Sequence, residues 1–325
     1  MKLPRRKFLH LAAGAAALPA VSSVARAQSY PSRPVRIVVG AAAGSSPDIV
    51  GRLVGQWLSE RLGQPFVTEN RPGAGGNIGT EAVVRGSPDG HTLLLATSNN
   101  AINATLYDKL NFNFIRDIAP VAGIIRFSNV MVVHPSFRAK TVPEFIAYAK
   151  ANPGKTNMAS PGNGTTPHVT GELFKMMAGI DMIHVPYRGG GQVMTDLIAG
   201  QVQVSFIAPV LSLEHIRTGK LRALAVTTAT RLDVLPDIPT VGDFVPGYEA
   251  SAWFGVGAPK DTPAGIVEKL NGEINAALAD PKIKTRFAEL GATVIPGSPA
   301  DCGKLIADET EKWDKVVKFA GIKPE

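Results

Sequence analysis

The segment ENRPGAGGNIGTEAVV, residues 69–84, places glycines at 73, 75, 76 and 79 between an apolar run and a helix-like stretch. Glycine-rich turns that open helices are where many proteins hold phosphate, so nucleotide binding is the first chemistry this spacing suggests. A dinucleotide fingerprint needs G-x-G-x-x-G after a strand. Gly73 and Gly75 fit, but Ile78 stands where the third glycine belongs and Gly79 comes one residue late. A P-loop ends in Gly-Lys-Ser/Thr, and Gly79-Thr80-Glu81 lacks the lysine. Nucleophilic catalysis has no better support: around Ser160 the chain reads Met158-Ala159-Ser160-Pro161-Gly162, with Met where a G-x-S-x-G elbow needs glycine. The histidines His91, His134, His168, His184 and His215 are scattered without metal-ligand spacing, and the single cysteine, Cys302, excludes an internal disulfide or a cysteine cluster. No catalytic residue, metal ligand or cofactor is assigned.

What does accumulate is a set of neutral, donor-rich loops before helices: Ala41–Asp48, Gly73–Gly79, Ser98–Asn103, Ser160–His168 and Arg188–Gln192. The first-turn N–H groups of a helix and its dipole attract a carboxylate or phosphate without a cation. In an open α/β sheet such loops gather at the carboxyl ends of the strands, where ligands bind. The residues alone leave two readings open, a binding protein without chemistry and an exported hydrolase or cofactor-bearing oxidoreductase.

The elements that position these loops alternate. VRIVV at 35–39 is a continuous apolar run, as expected of a strand buried on both faces. Ser46 as cap, Pro47 at the first helical position and Asp48 at the positive end of the dipole then predict a helix, which Gly63 ends. QPFVTE, HTLLLAT, TNMAS, MIHVP, VQVSFIA and LRALAVTT predict further strands, several leading through a polar loop into a helix. The last third predicts packing helices after Thr262-Pro263 and Ser298-Pro299. The pattern gives α/β, with two lobes joined by the apolar crossings Ile118–Phe127 and Ser251–Pro259.

The N-terminus reads as an export leader. Lys2, Arg5, Arg6 and Lys7 precede an apolar stretch at 8–21 and the small-x-small site Ala25-Arg26-Ala27. Arg5-Arg6 gives it a twin-arginine look, with Pro4 where Ser or Thr is usual. Five of the 34 basic residues and none of the 27 acidic ones lie there, which leaves 29 against 27 and a net charge of only +2. A nucleic-acid partner is therefore not expected.

RPGAGGNIGTEAVVRGSPDGHTLLLAT, NGTTPHVTGELFKMMAGIDMIHVPYRGG and RLDVLPDIPTVGDFVPGYEASAWFGVGAPKDTP, together with the leader, resemble the Bug-type solute-binding proteins of tripartite tricarboxylate transporters. The resemblance implies a periplasmic-binding-protein-like α/β architecture, each lobe a mixed, mostly parallel sheet flanked by helices. Residues 1–27 would be the cleaved leader, 28–126 plus 255–325 lobe 1, and 127–254 lobe 2. It implies a periplasmic, monomeric protein that captures a small organic carboxylate between the lobes and passes it to a two-component membrane permease. In lobe 1 the implied contacts are Ala42, Ala43, Gly44, Ser45, Asp48, Asn77 and Asn99. In lobe 2 they are Ser160, Gly162, Asn163, Gly164, Thr165, Thr166, His168 and Arg188. The first loop departs from the family pattern Pro-aromatic-x-x-Gly-Gly-x-x-Asp: Gly40 replaces the proline, Ala41 the aromatic residue and Ser45 the second glycine. Loss of that aromatic wall implies a reshaped cleft. A sensing role, with the ligand passed to a receptor, is the alternative to transport.

Overall fold

Two mixed β-sheets, each flanked by helices, make up the computed structural model, which describes residues 30–324. The leader expected at 1–27 lies outside the described residues. In chain order the strands are β1 (Val35–Val39), β2 (Phe66–Asn70), β3 (Thr92–Thr97), β4 (Ile118–Ser128), β5 (Val130–Val133), β6 (Asn157–Ser160), β7 (Ile183–Pro186), β8 (Val204–Ile207), β9 (Arg222–Val226), β10 (Ser251–Pro259) and β11 (Ala292–Val294). The helices are α1 (Ser46–Leu62), α2 (Asn77–Val84), α3 (Ser98–Leu106), α4 (Phe114–Asp117), α5 (Val142–Ala151), α6 (Thr166–Ala178), α7 (Gly190–Ile198), α8 (Pro209–Arg217), α9 (Ala264–Ala279), α10 (Pro281–Glu289) and α11 (Pro299–Ala320).

The first sheet runs β11-β4-β10-β3-β1-β2 and the second β7-β6-β8-β5-β9. β1 pairs in parallel with both β2 and β3, and β6 with both β7 and β8, while the remaining pairs are antiparallel. The parallel strands explain the position of the loops, since each needs a helical crossover and all such crossovers leave from the same strand ends. The run at β1 is buried on both faces except at Arg36, whose exposed side chain pairs with Glu69. Val35, Ile37 and Val39 pack with Val50, Val54 and Leu58 of α1, whereas Val38 faces the opposite layer with Leu94, Ile102 and Trp313.

The chain changes sheet between Ser128 and Val130, and again between Val226 and Ser251. These junctions are tied by a buried polar knot. The Asn129 N–H donates to Thr227 Oγ1 at 2.9 Å, the Thr227 N–H to Ser128 Oγ at 3.0 Å, and the Ala250 N–H to the Thr227 carbonyl at 2.8 Å. Behind it, one apolar cluster runs from Leu94 and Ile102 through Trp253, Tyr248 and Trp313 into Met131, Phe174 and Phe206, so both lobes share a core.

Several details differ from the sequence reading. The cap of α1 is Ser45 rather than Ser46, and Pro47 is the second helical residue. Gly63 does end the helix in the left-handed region, at φ 72°. β5, α5, α8, α10 and β11 are elements that the sequence reading did not assign. Cys302 is buried in α11, and burial pushes its thiol pKa up to about 12, as suits an inert packing residue.

Candidate functional site

The carboxyl ends of β1, β3 and β6, the start of α8 and the junction strands enclose a cavity of about 750 Å³ between the two lobes. Lobe 1 lines it with Gly40, Ala41, Gly44, Ser45, Ser46, Pro47 and Ile49, with Gly73, Gly75, Gly76 and Thr80, and with Thr97, Ser98, Asn99 and Asn100. Lobe 2 supplies Pro161, Thr165, Thr166, Pro167, Gly190, Ala208, Val210 and Leu211. Phe127, Asn129, Ala252, Phe254 and Leu290 close the back. Among these residues there is no Asp, Glu, Lys, Arg or His.

The cavity is ringed by helix starts. Ser45, Thr165, Gly189 and Ala208 precede α1, α6, α7 and α8, and at none of them does a side chain accept a first-turn N–H. Ser45 and Thr165 carry hydroxyls that suit capping, yet both turn away. Ser45 Oγ donates to the Ala42 carbonyl at 2.6 Å, and Thr165 Oγ1 to the Gly162 carbonyl at 2.8 Å. Side chains thus leave the first turns uncapped, although Pro47, Pro167 and Pro209 carry no N–H and the Leu211 N–H bonds the Ala208 carbonyl at 3.1 Å, and the helix dipoles converge on an uncharged space.

Of the candidates in the first loop, Gly44 and Ser45 line the cavity, while the exposed Ala42 and Ala43 do not. Asp48 is buried behind the loop as its anchor. Its carboxylate accepts from the Gly44 N–H at 2.8 Å, from Arg52 Nε at 3.0 Å and from Asn70 Nδ2 at 2.9 Å. The Arg52 hydrogen bond holds the Asp48 pKa near 2 against the opposing effect of burial. Asn70 Nδ2 also reaches the Ala41 carbonyl at 3.0 Å, so one acid and one amide shape residues 41–48.

The glycine segment packs against this loop from behind. A Cβ on Gly40 would sit 2.8 Å from the Gly76 Cα, so the approach of the two backbones requires glycine there. Gly73, Gly75 and Gly76 line the cavity, but the Gly76 and Asn77 N–H groups are spent on the Gly73 and Ala74 carbonyls within a turn of 3₁₀ helix. They are not the free donors that the glycine spacing suggests. The Asn77 side chain is buried outside the lining and accepts from Asn103 Nδ2 at 3.0 Å. Asn99, at the start of α3, does line the cavity.

In lobe 2, Thr165 and Thr166 line the cavity, and Ser160, Gly162, Asn163, Gly164 and His168 stand behind them. Buried Ser160 donates to the Gly162 carbonyl at 3.0 Å, and its Oγ lies 2.6 Å from His184 Nε2. The Gly164 N–H donates to His168 Nδ1 at 3.1 Å, and the His168 and His184 rings stack at 3.5 Å with 8° between planes. Burial, then the neighbouring His168, pushes the His184 pKa down to about 3, so it is neutral. Glu172 and Lys175 continue the cluster, with Lys175 Nζ 3.0 Å from the Glu172 carboxylate. This is a scaffold that holds the 162–166 loop. Arg188 is exposed and outside the lining, where Gly190 stands instead. Residues missed in the sequence, notably Phe127, Asn129, Val210, Leu211, Phe254 and Leu290, come from the junction, from α8 and from the end of α10. Asn129 apart, only their apolar character was visible locally.

Two contacts bridge the lobes beside the cavity. A Cβ on Gly164, at φ +68°, would collide with Leu106 of α3, and one on Gly291 would lie 3.0 Å from Pro209 of α8.

The comparisons with known proteins agree with this geometry. The model for the tripartite tricarboxylate transporter family receptor matches residues 50–322. Protein BugT of Bordetella pertussis is 36% identical over 306 residues, covering 93% of this chain and 94% of BugT. A Rhodopseudomonas palustris structure described with adipate superposes with a TM-score of 0.79 at 36% identity, covering 91% of this chain and all of that one. MatC of R. palustris, described with bound malate, gives 0.76 at 32% identity, over 89% of this chain and all of its own. The shared architecture is that of two-lobed periplasmic binding proteins. With the family model spanning most of the sequence and relatives above 30% identity along nearly its whole length, this chain belongs to the tripartite tricarboxylate transporter receptor family.

Proposed function

We propose that this protein is an exported solute receptor that captures a small organic carboxylate in the interlobe cavity and delivers it to a two-component membrane permease. It acts in the periplasm as a monomer, after cleavage near Ala27, and performs no chemical step. The single observation that carries the reading is the uncharged cavity bordered by four helix starts without side-chain caps. A carboxylate placed there replaces the missing caps and needs no cation. Gly44, Ser45, Asn99, Thr165 and Thr166 are the assigned contacts that face it, with Asp48, Ser160 and His168 holding the loops. Two relatives described with adipate and malate support the ligand class.

A ligand that binds only the folded state raises its stability by about 2.7 kcal/mol at a hundredfold excess over Kd. The expected outcome is a rise in Tm with at least one member of a carboxylate panel and none with matched amides or alcohols. Equal response to acids and amides, or no response to any acid, overturns the reading.

A further inference from the structure

Resting on that reading, we infer that the carboxylate is a ring-bearing monocarboxylate, an aromatic or alicyclic acid, rather than a short di- or tricarboxylate. The helix starts account for one anionic end. Beside the neutral polar side chains of Thr97, Ser98, Asn99, Asn100 and Asn129, the wall carries a hydrocarbon portion formed by Phe127, Phe254, Leu290, Ile49, Val210 and Leu211. Phe127 and Phe254 meet edge to face at 5.1 Å and present an aromatic surface at the back. Val210 and Leu211, on the first turn of α8, are 53% and 40% exposed although they border the cavity. Apolar side chains left bare around a cavity gain from a ligand that covers them, and a second carboxylate laid on such a wall loses its hydration without a partner. Ala41 contributes only a methyl to the same lining, so its side chain takes up little of the space a ring would need. A space of about 750 Å³ also exceeds what a four-carbon diacid fills.

The test is calorimetry of the full mature protein with 2-naphthoate, benzoate, adipate and malate. The ring acids are expected to bind about tenfold or more tighter than malate. Ala41→Phe fills the ring space and is expected to erase or reverse that ratio. Leu211→Asn, at an exposed position that leaves folding unaffected, is expected to lower 2-naphthoate affinity and narrow the ratio. Tighter malate or adipate binding in the parent protein, or a ratio unmoved by both variants, overturns this inference and leaves the receptor reading standing. Failure of all four acids, and of every other carboxylate, overturns both.

Discussion

Four helix starts at the cavity are built differently from most helix starts elsewhere in this molecule. Away from the cavity, Asn113, Thr141, Asp280 and Ser298 cap α4, α5, α10 and α11, each side chain accepting a first-turn N–H at 2.9–3.3 Å. At the cavity, α1, α6, α7 and α8 have no such acceptor, and the hydroxyls of Ser45 and Thr165 donate elsewhere, whereas α3 closes its start with a Thr97–Asn100 capping box. α9, behind Pro263, is also uncapped but lies away from the cavity, so a missing cap alone does not mark the site. What marks it is convergence of several such starts on a space without charge. Orphan donors cost little while water meets them, and they become binding energy when an anion replaces that water.

The largest expected effect comes from supplying the caps that the cavity lacks. Ser45→Asp or Thr165→Asp places a carboxylate where the ligand's belongs. Calorimetry should show carboxylate affinity reduced about a hundredfold or more, since like charges brought together cost several kcal/mol. Tm should hold or rise, because an aspartate cap stabilises a helix start. Loss of stability together with binding would mean that these starts are ordinary helix ends.

Gly164→Ala comes next. It forces a methyl into Leu106 at a left-handed φ of +68°, and should cost about 1–3 kcal/mol in denaturant unfolding. The same change should weaken ligand binding by shifting the 162–166 loop away from the cavity. Normal affinity in a destabilised variant would show that the loop geometry is irrelevant to the ligand.

Removing a distant cap should do the reverse. Asp280→Ala or Ser298→Ala is expected to cost about 1 kcal/mol of stability while Kd stays within about twofold. A large change in affinity from either would break the separation between the two kinds of helix start.

The smallest effect is a pH dependence from the scaffold. His184 ionises near 3 in the folded protein and near 6.5 when unfolded, because burial and His168 oppose its charge. Between those values the unfolded chain takes up the proton and the native one does not, so this contribution lowers stability as pH falls from about 6.5 towards 3. His184→Gln should flatten that part of a Tm-against-pH profile. An unchanged slope would remove His184 from the account.

The sequence made the parallel core legible because β3, and β1 apart from Arg36, are apolar without alternation, a pattern that burial on both faces imposes. α8 was opaque because Ala208-Pro209-Val210-Leu211 reads as a continuation of the apolar strand β8 rather than as a helix start. The loops were found by composition, yet composition does not separate a residue that faces the cavity from one that holds it there. Thr165 and Ser160 have similar chemistry in one loop, and only Thr165 lines the cavity. Asp48 looked ambiguous between helix support and ligand contact, and its three internal donors assign it to support.

The sequence by itself determined the α/β alternation, the family resemblance and the donor-rich loops, because strand burial, helix starts and glycine turns are local in their demands. Tertiary structure decided which donors are free. The N–H groups of Gly76 and Asn77 close their own turn, whereas the starts of α1 and α6 stay uncapped. It also decided the character of the cavity wall, since Phe127, Phe254 and Leu290 meet Val210 and Leu211 of α8 only when the two sheets face each other. A hydrogen bond is settled by whichever partner folding brings nearest, and that choice is not written in the neighbouring residues.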